Sequence, residues 1–134
     1  MLAHGLFQNE PLLSTVDLPS PKERSTAAQL VGLPLRGLSL AVFSVGESGR
    51  VAGTLSNEIF GIPWALLVAG VDTVVLSRWK VLATSNATWM GHFYQALAAG
   101  NTPAQAATAA MRAMLASPAT AHPYYWAGMQ VIGG

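Results

Sequence analysis

Three observations predict an α/β fold built on a mostly parallel sheet. Apolar runs of strand length alternate with stretches of helical periodicity, helix-start signals recur between the runs, and the run LAVF at 40–43 passes directly into a small, polar, Gly-containing turn. Strands separated by helices pair in parallel, because each helix carries the chain back to the end where the next strand begins.

Along the chain, residues 5 to 24 contain Gly5, Pro11, Pro19 and Pro21 among polar residues and read as a long loop holding at most a short extended piece. TAAQLVGL, 26 to 33, follows with Thr26 and Gln29 spaced as a capping box, which starts a short helix ending near Gly32. LSLAVFS, 38 to 44, is an apolar run with too few residues for a helix and a turn on either side, which fits a strand buried on both faces.

Ser56 or Asn57 is the expected cap of the next helix. Ile59, Ile62, Leu66 and Leu67 recur there near helical spacing until Gly70, and Pro63 is harmless only in the first turn. VDTVVLSRW is a second β-branched run, predicted to end near Ser77. Thr84 or Ser85 is then expected to cap a helix with Trp89, Met90, Phe93 and Leu97 on one stripe and Gly100 at its stop. Thr102, Pro103 and Gln105 supply the clearest helix start, opening an Ala-rich helix to about Ser117, and YYWAGMQVI reads as a closing strand.

Composition narrows the function. The chain has 134 residues, enough for one domain and one core. Seven basic residues balance six acidic ones without a run of either sign, which argues against nucleic acid as a partner. The longest apolar stretch, near residues 59 to 69, is too short for a bilayer and holds Pro63. No cysteine is present, so disulfides, thiolate metal sites and a cysteine nucleophile are excluded within this chain. The start shows no basic segment followed by an apolar core, and a cytoplasmic location is the default expectation. Only 10% of residues are charged, as expected of a chain that buries surface against a neighbouring domain or partner.

In a parallel sheet, ligands bind beyond the carboxyl ends of the strands, which makes residues 44 to 49 the place to look for chemistry. Three motifs fail there. A serine-hydrolase elbow needs Gly two residues on each side of the serine, and Arg50 stands where the second Gly belongs after Ser48. A phosphate loop needs Lys and Ser or Thr after its last Gly, where this chain has Arg50 and Val51, and the spacing of Gly46, Gly49 and Gly53 does not fit a dinucleotide loop. The histidines His4, His92 and His122 are scattered. His92 reads as structural or exposed, His122 as a strand-entry residue, and no pair of potential ligands has metal-site spacing, so neither metal nor cofactor is expected.

Taken together, these stretches resemble the C-terminal half of the CHAT domain, a caspase-like cysteine peptidase family often attached to TPR repeats. HGLFQNEPLLSTVDL (4–18) resembles the family's histidine motif, and GLSLAVFSVGESG (37–49) its nucleophile strand, which usually ends in Ser-Ala-Cys-Glu-Thr-Gly. GIPWALLVAGVDTVVLSRWKV (61–81), FYQALAAG (93–100) and HPYYWAG (122–128) are similar to later blocks in the same order, so that residues 1–134 correspond to the C-terminal part of one such domain. The resemblance implies a caspase-like three-layer α/β/α fold, incomplete on its N-terminal side, and a His-Cys dyad in which an imidazole favours the thiolate that attacks a peptide carbonyl.

By motif position the dyad imidazole is His4, and Gly5 joins the turn's amides in holding the developing oxyanion. The nucleophile position holds Gly46, which has no side chain and permits no covalent step. Ser44 keeps the family's usual Ser and Ser48 takes the Thr position, so neither is displaced into the nucleophile's place. After Val81, Leu82 and Ala83 stand where family members usually place acidic residues.

The implied reading is an inactive pseudo-peptidase acting, if at all, as a protein-interaction or scaffolding module. Its expected partners are a protein or peptide, TPR repeats of a longer polypeptide, or another chain completing the sheet, with no nucleic acid and no membrane. A start just before the dyad histidine is further expected to mean a fragment, a mis-started frame or half of an assembly, with an apolar strand edge near Leu40 left to pair. The alternatives are a hydrolase using Ser44 or Ser48 with His4, and a structural domain with no present function.

Overall fold

The computed structural model describes residues 5–6, 15–17, 24–43, 52–53 and 59–134. Its centre is a three-stranded sheet of β4 (Leu40–Phe43), β7 (Thr73–Ser77) and β8 (Met129–Gly133), in the order β4-β7-β8. β4 pairs with β7 in parallel, with Leu40 opposite Thr73 and Phe43 opposite Leu76, whereas β7 pairs with β8 antiparallel, from Thr73 opposite Gly133 to Ser77 opposite Met129. The α/β class is therefore as predicted, but the described sheet is mixed rather than mostly parallel.

Helix count explains the difference. Two helices, α3 (Ala83–Ala98) and α4 (Pro103–Ala116), separate β7 from β8 and pack on each other. One helix returns the chain to the start of the sheet, and a second brings it back to the end it left. β8 therefore begins beside the end of β7 and must run the other way.

Five consecutive residues of β7, TVVLS, are buried, as a central strand covered on both faces demands. Val74 and Leu76 join a cluster with Ala27 and Leu30 of α1 (Ala27–Val31) and Ile62, Ala65 and Leu66 of α2 (Ile62–Val68). Val75 points the other way, into a cluster with Trp89, Phe93, Ala106, Ala107, Ala110 and Met114 of α3 and α4. The same alternation runs along β4, where Ala41 and Phe43 meet the first cluster and Leu40 and Val42 the second. β4 itself is only partly buried until Phe43, contrary to its expected burial on both faces.

Two of the helix starts form as the sequence predicts. Thr26 caps α1, its Oγ1 accepting from the Gln29 amide at 3.2 Å while Gln29 Oε1 accepts from the Thr26 amide at 2.9 Å, and Thr102 and Gln105 repeat the box at α4. The other two differ. α2 begins only at Ile62, with Gly61 in the cap position and Pro63 within the first turn; Ser56 and Asn57 lie outside the described residues. α3 begins at Ala83 with Leu82 in the cap position. Ser85 is no cap, because its hydroxyl donates back to the Leu82 carbonyl at 3.0 Å, and Thr84 lies inside the helix, where its carbonyl accepts from Thr88 Oγ1.

Residues 5 to 24, expected as a loop, contain short strands instead. β1 (Gly5–Leu6) and β2 (Thr15–Asp17) pair antiparallel, and β2 pairs again with β3 (Arg24–Thr26), which leads directly into α1. A separate antiparallel pair joins β5 (Ala52–Gly53) to β6 (Ile59–Phe60). The end of the chain also departs from expectation. Tyr124 and Tyr125 lie in a 3-10 turn, Pro123–Tyr125, and the closing strand starts only at Met129. His122 is thus the cap of that turn, not a strand-entry residue.

Candidate functional site at the carboxyl ends of the strands

β4 ends at Phe43, opposite Leu76, and β7 ends one residue further on at Ser77. The carboxyl ends of the two strands therefore lie side by side at one end of the sheet, the end at which α/β proteins bind ligands. Gly46, Ser44 and Ser48, which follow β4 in the chain, and His4 lie outside the described residues. Gly5 is in β1, paired with Val16.

The segment that follows β7, residues 78 to 82, is described in full and is held by the C-terminal turn. The Arg78 amide donates to the Gly128 carbonyl at 2.7 Å. Trp79 Nε1 donates to the Tyr124 carbonyl at 3.3 Å, and the Tyr124 hydroxyl donates to the Lys80 carbonyl at 3.3 Å. Tyr124 in turn packs edge-on against Tyr125, with ring centroids 5.7 Å apart.

Gly128 makes this docking possible. A Cβ there would sit 3.0 Å from the Trp79 ring and 2.9 Å from Val81 Cγ2, closer than ordinary packing allows. The turn itself is built by His122, whose Nδ1 accepts from the Tyr124 amide at 3.2 Å, with Pro123 supplying a fixed φ at the first position. Sequence reasoning missed this brace because it took the aromatic run YYW for strand. The signal available was Pro123 directly after a polar side chain, which starts a turn, with Gly128 closing it.

Arg78 and Lys80 are both exposed on this segment. Asp72, the one carboxylate among side chains that are described, precedes β7 at the opposite end of the strand. The described rim is thus locally basic and aromatic. His92 is half-buried on α3, away from this rim in sequence, and the described residues contain no group of three or more His, Asp or Glu side chains able to hold a metal ion. Among them, too, no helix is long and apolar enough to cross a membrane.

Apolar side chains flank β4. Leu33, Leu35, Leu38, Leu40 and Val42, with Tyr94 of α3, line a groove of about 500 Å³.

These features define an α/β protein whose central sheet contains a parallel strand pair, β4 and β7. The CHAT domain family model matches residues 1–134, and the chain belongs to the CHAT domain family. It is similar to Tetratricopeptide repeat protein 28 of Mus musculus, 31% identical over 110 residues, and to that of Homo sapiens, 30% identical over 108. Each alignment covers 81% of this chain and only 4% of the relative, so the chain spans a small part of the length of the curated relatives it matches.

Proposed function

We propose that this chain is the C-terminal part of a caspase-like, three-layer CHAT domain that has lost covalent peptidase chemistry and works as a protein-interaction or scaffolding module. The observation that carries the reading is Gly46 at the position where the family's nucleophile motif has cysteine. Thiolate attack needs a sulfur at the turn, and glycine provides only backbone. A binding role is supported by the aromatic and basic segment at residues 78 to 82, which follows β7 and is held by two hydrogen bonds to Tyr124.

The partner class that fits is a protein or peptide, with tetratricopeptide repeats as the natural neighbour, since the relatives carry that name.

Peptide-library hydrolysis by the full polypeptide containing this chain tests the proposal. No turnover is expected, and Gly46→Cys is expected to restore labelling by a thiol-directed acyl-enzyme probe. Cleavage by the natural sequence that disappears in His4→Ala would overturn it. Labelling by a fluorophosphonate that is lost in Ser44→Ala or Ser48→Ala would replace it with a serine hydrolase.

A further inference from the structure

The segment after β7 is anchored by every second side chain and exposes the others. Ser77 is buried, Arg78 exposed, Trp79 half-buried, Lys80 exposed, Val81 half-buried and Leu82 exposed. The backbone and the Trp79 ring hold the segment to the C-terminal turn, through the Arg78 amide on the Gly128 carbonyl, Trp79 Nε1 on the Tyr124 carbonyl and the Tyr124 hydroxyl on the Lys80 carbonyl. None of these bonds uses the Arg78 guanidinium or the Lys80 ammonium.

We propose that Arg78 and Lys80 form a docking strip for an acidic peptide segment, one with a carboxylate at every second residue. The proposal rests on the interaction role put forward above and names the chemistry of the partner. Charge complementarity carries it. The one carboxylate among described side chains, Asp72, precedes β7 at the other end of the strand, so the described residues at this end of the sheet supply cations and no acid. Alternate residues of an extended peptide lie on the same side, so carboxylates two residues apart meet two cations that are themselves two residues apart. The Arg78 guanidinium adds a planar fork that matches a carboxylate with two parallel hydrogen bonds.

Two further features favour a peptide. Leu82 and Tyr124 are 48% and 44% exposed and adjoin Lys80, one along the chain and the other through its hydroxyl, so the cations are flanked by apolar area as well as water. The three bonds to the C-terminal turn fix the strip before a peptide arrives, which lowers the entropy cost of binding. Nucleic acid fits less well, because binding a phosphate backbone by counterion release draws on a longer run of cations than two.

Fluorescence anisotropy of the full polypeptide containing this chain, with a fluorescein-labelled decapeptide that alternates Glu and Thr, tests the strip. Binding is expected at low salt, weakening as ionic strength rises, and the same peptide with Gln in place of Glu should bind about fivefold more weakly. Arg78→Glu combined with Lys80→Glu should weaken the Glu peptide by about the same factor and improve binding of the peptide with Lys in place of Glu, a switch that a misfolded variant would not make. Arg36→Glu combined with Arg112→Glu reverses two exposed charges on other segments and should leave the affinity for the Glu peptide within about twofold. No binding of the Glu peptide, or binding that the reversal at Arg78 and Lys80 leaves unchanged, would overturn the strip and leave the interaction role to another surface. Tighter binding of a ten-nucleotide oligothymidylate that the same reversal abolishes would overturn the peptide as its partner. Cleavage of the Glu peptide would instead overturn the loss of peptidase chemistry.

Discussion

The two faces of the central sheet are packed by different means. On one, the short helices α1 and α2, five and seven residues long, contribute branched aliphatic side chains such as Leu30, Ile62 and Leu66 against Val74 and Leu76. On the other, the long helices α3 and α4, of 16 and 14 residues, pair two aromatics with four small or slender side chains: Trp89 and Phe93 against Ala106, Ala107, Ala110 and Met114. Trp89 and Phe93 stack at 4.9 Å with ring planes 17° apart, and the alanines of α4 leave room for α4 to pack closely beside them. The first face is filled largely by aliphatic side chains, with Phe43 of β4 among them, and the other is centred on two stacked aromatics that small neighbours make space for. The second arrangement concentrates stability in fewer residues.

The largest expected effect is therefore Trp89→Ala, which removes a fully buried ring and its stacking partner's contact. A loss of about 3–5 kcal/mol should appear in urea unfolding, and a loss under about 1 kcal/mol would erase the contrast between the faces. Leu30→Ala on the opposite face should cost less, about 2 kcal/mol, because Leu30 also lines the open groove beside β4 and its loss leaves a less enclosed void. Ala110→Leu sharpens the point from the other side. Adding bulk where α4 relies on a small residue should destabilise by about 1–3 kcal/mol, read as a lower denaturant midpoint with an unchanged slope.

Trp89→Phe should fall near 1 kcal/mol. The indole N–H is buried without a hydrogen-bond partner among the described residues, so its removal offsets part of the lost packing. The smallest effect is expected at the caps. Thr102→Ala should cost about 1 kcal/mol by thermal or urea unfolding, and Thr26→Ala about the same or less, since the helix it starts is only five residues long.

What could be read in advance depended on how local the cause was. Capping boxes at Thr26 and Thr102 involve residues three apart, and both form. The start of α3 was misread because a serine can accept at a cap or donate inside a helix, and only the fold shows Ser85 donating to Leu82. β1, β2 and β3 escaped because strands of two or three residues carry almost no periodic signal. At the candidate site, Gly46 and the motif around it were legible as sequence. The Trp79 to Tyr124 brace was not, because its partners lie 45 positions apart.

By itself the sequence determined the α/β class, the two strands LAVF and TVVLS, the extent of the Ala-rich helix and the absence of a sulfur nucleophile, all consequences of local pattern or residue identity. Tertiary structure alone decided that β8 runs antiparallel to β7, and that the HPYYWAG segment turns back to hold the loop after β7. Strand direction depends on where two packed helices deliver the chain. The brace depends on Gly128 lying against the Trp79 ring, a contact between residues far apart in the chain that no pattern of neighbours encodes.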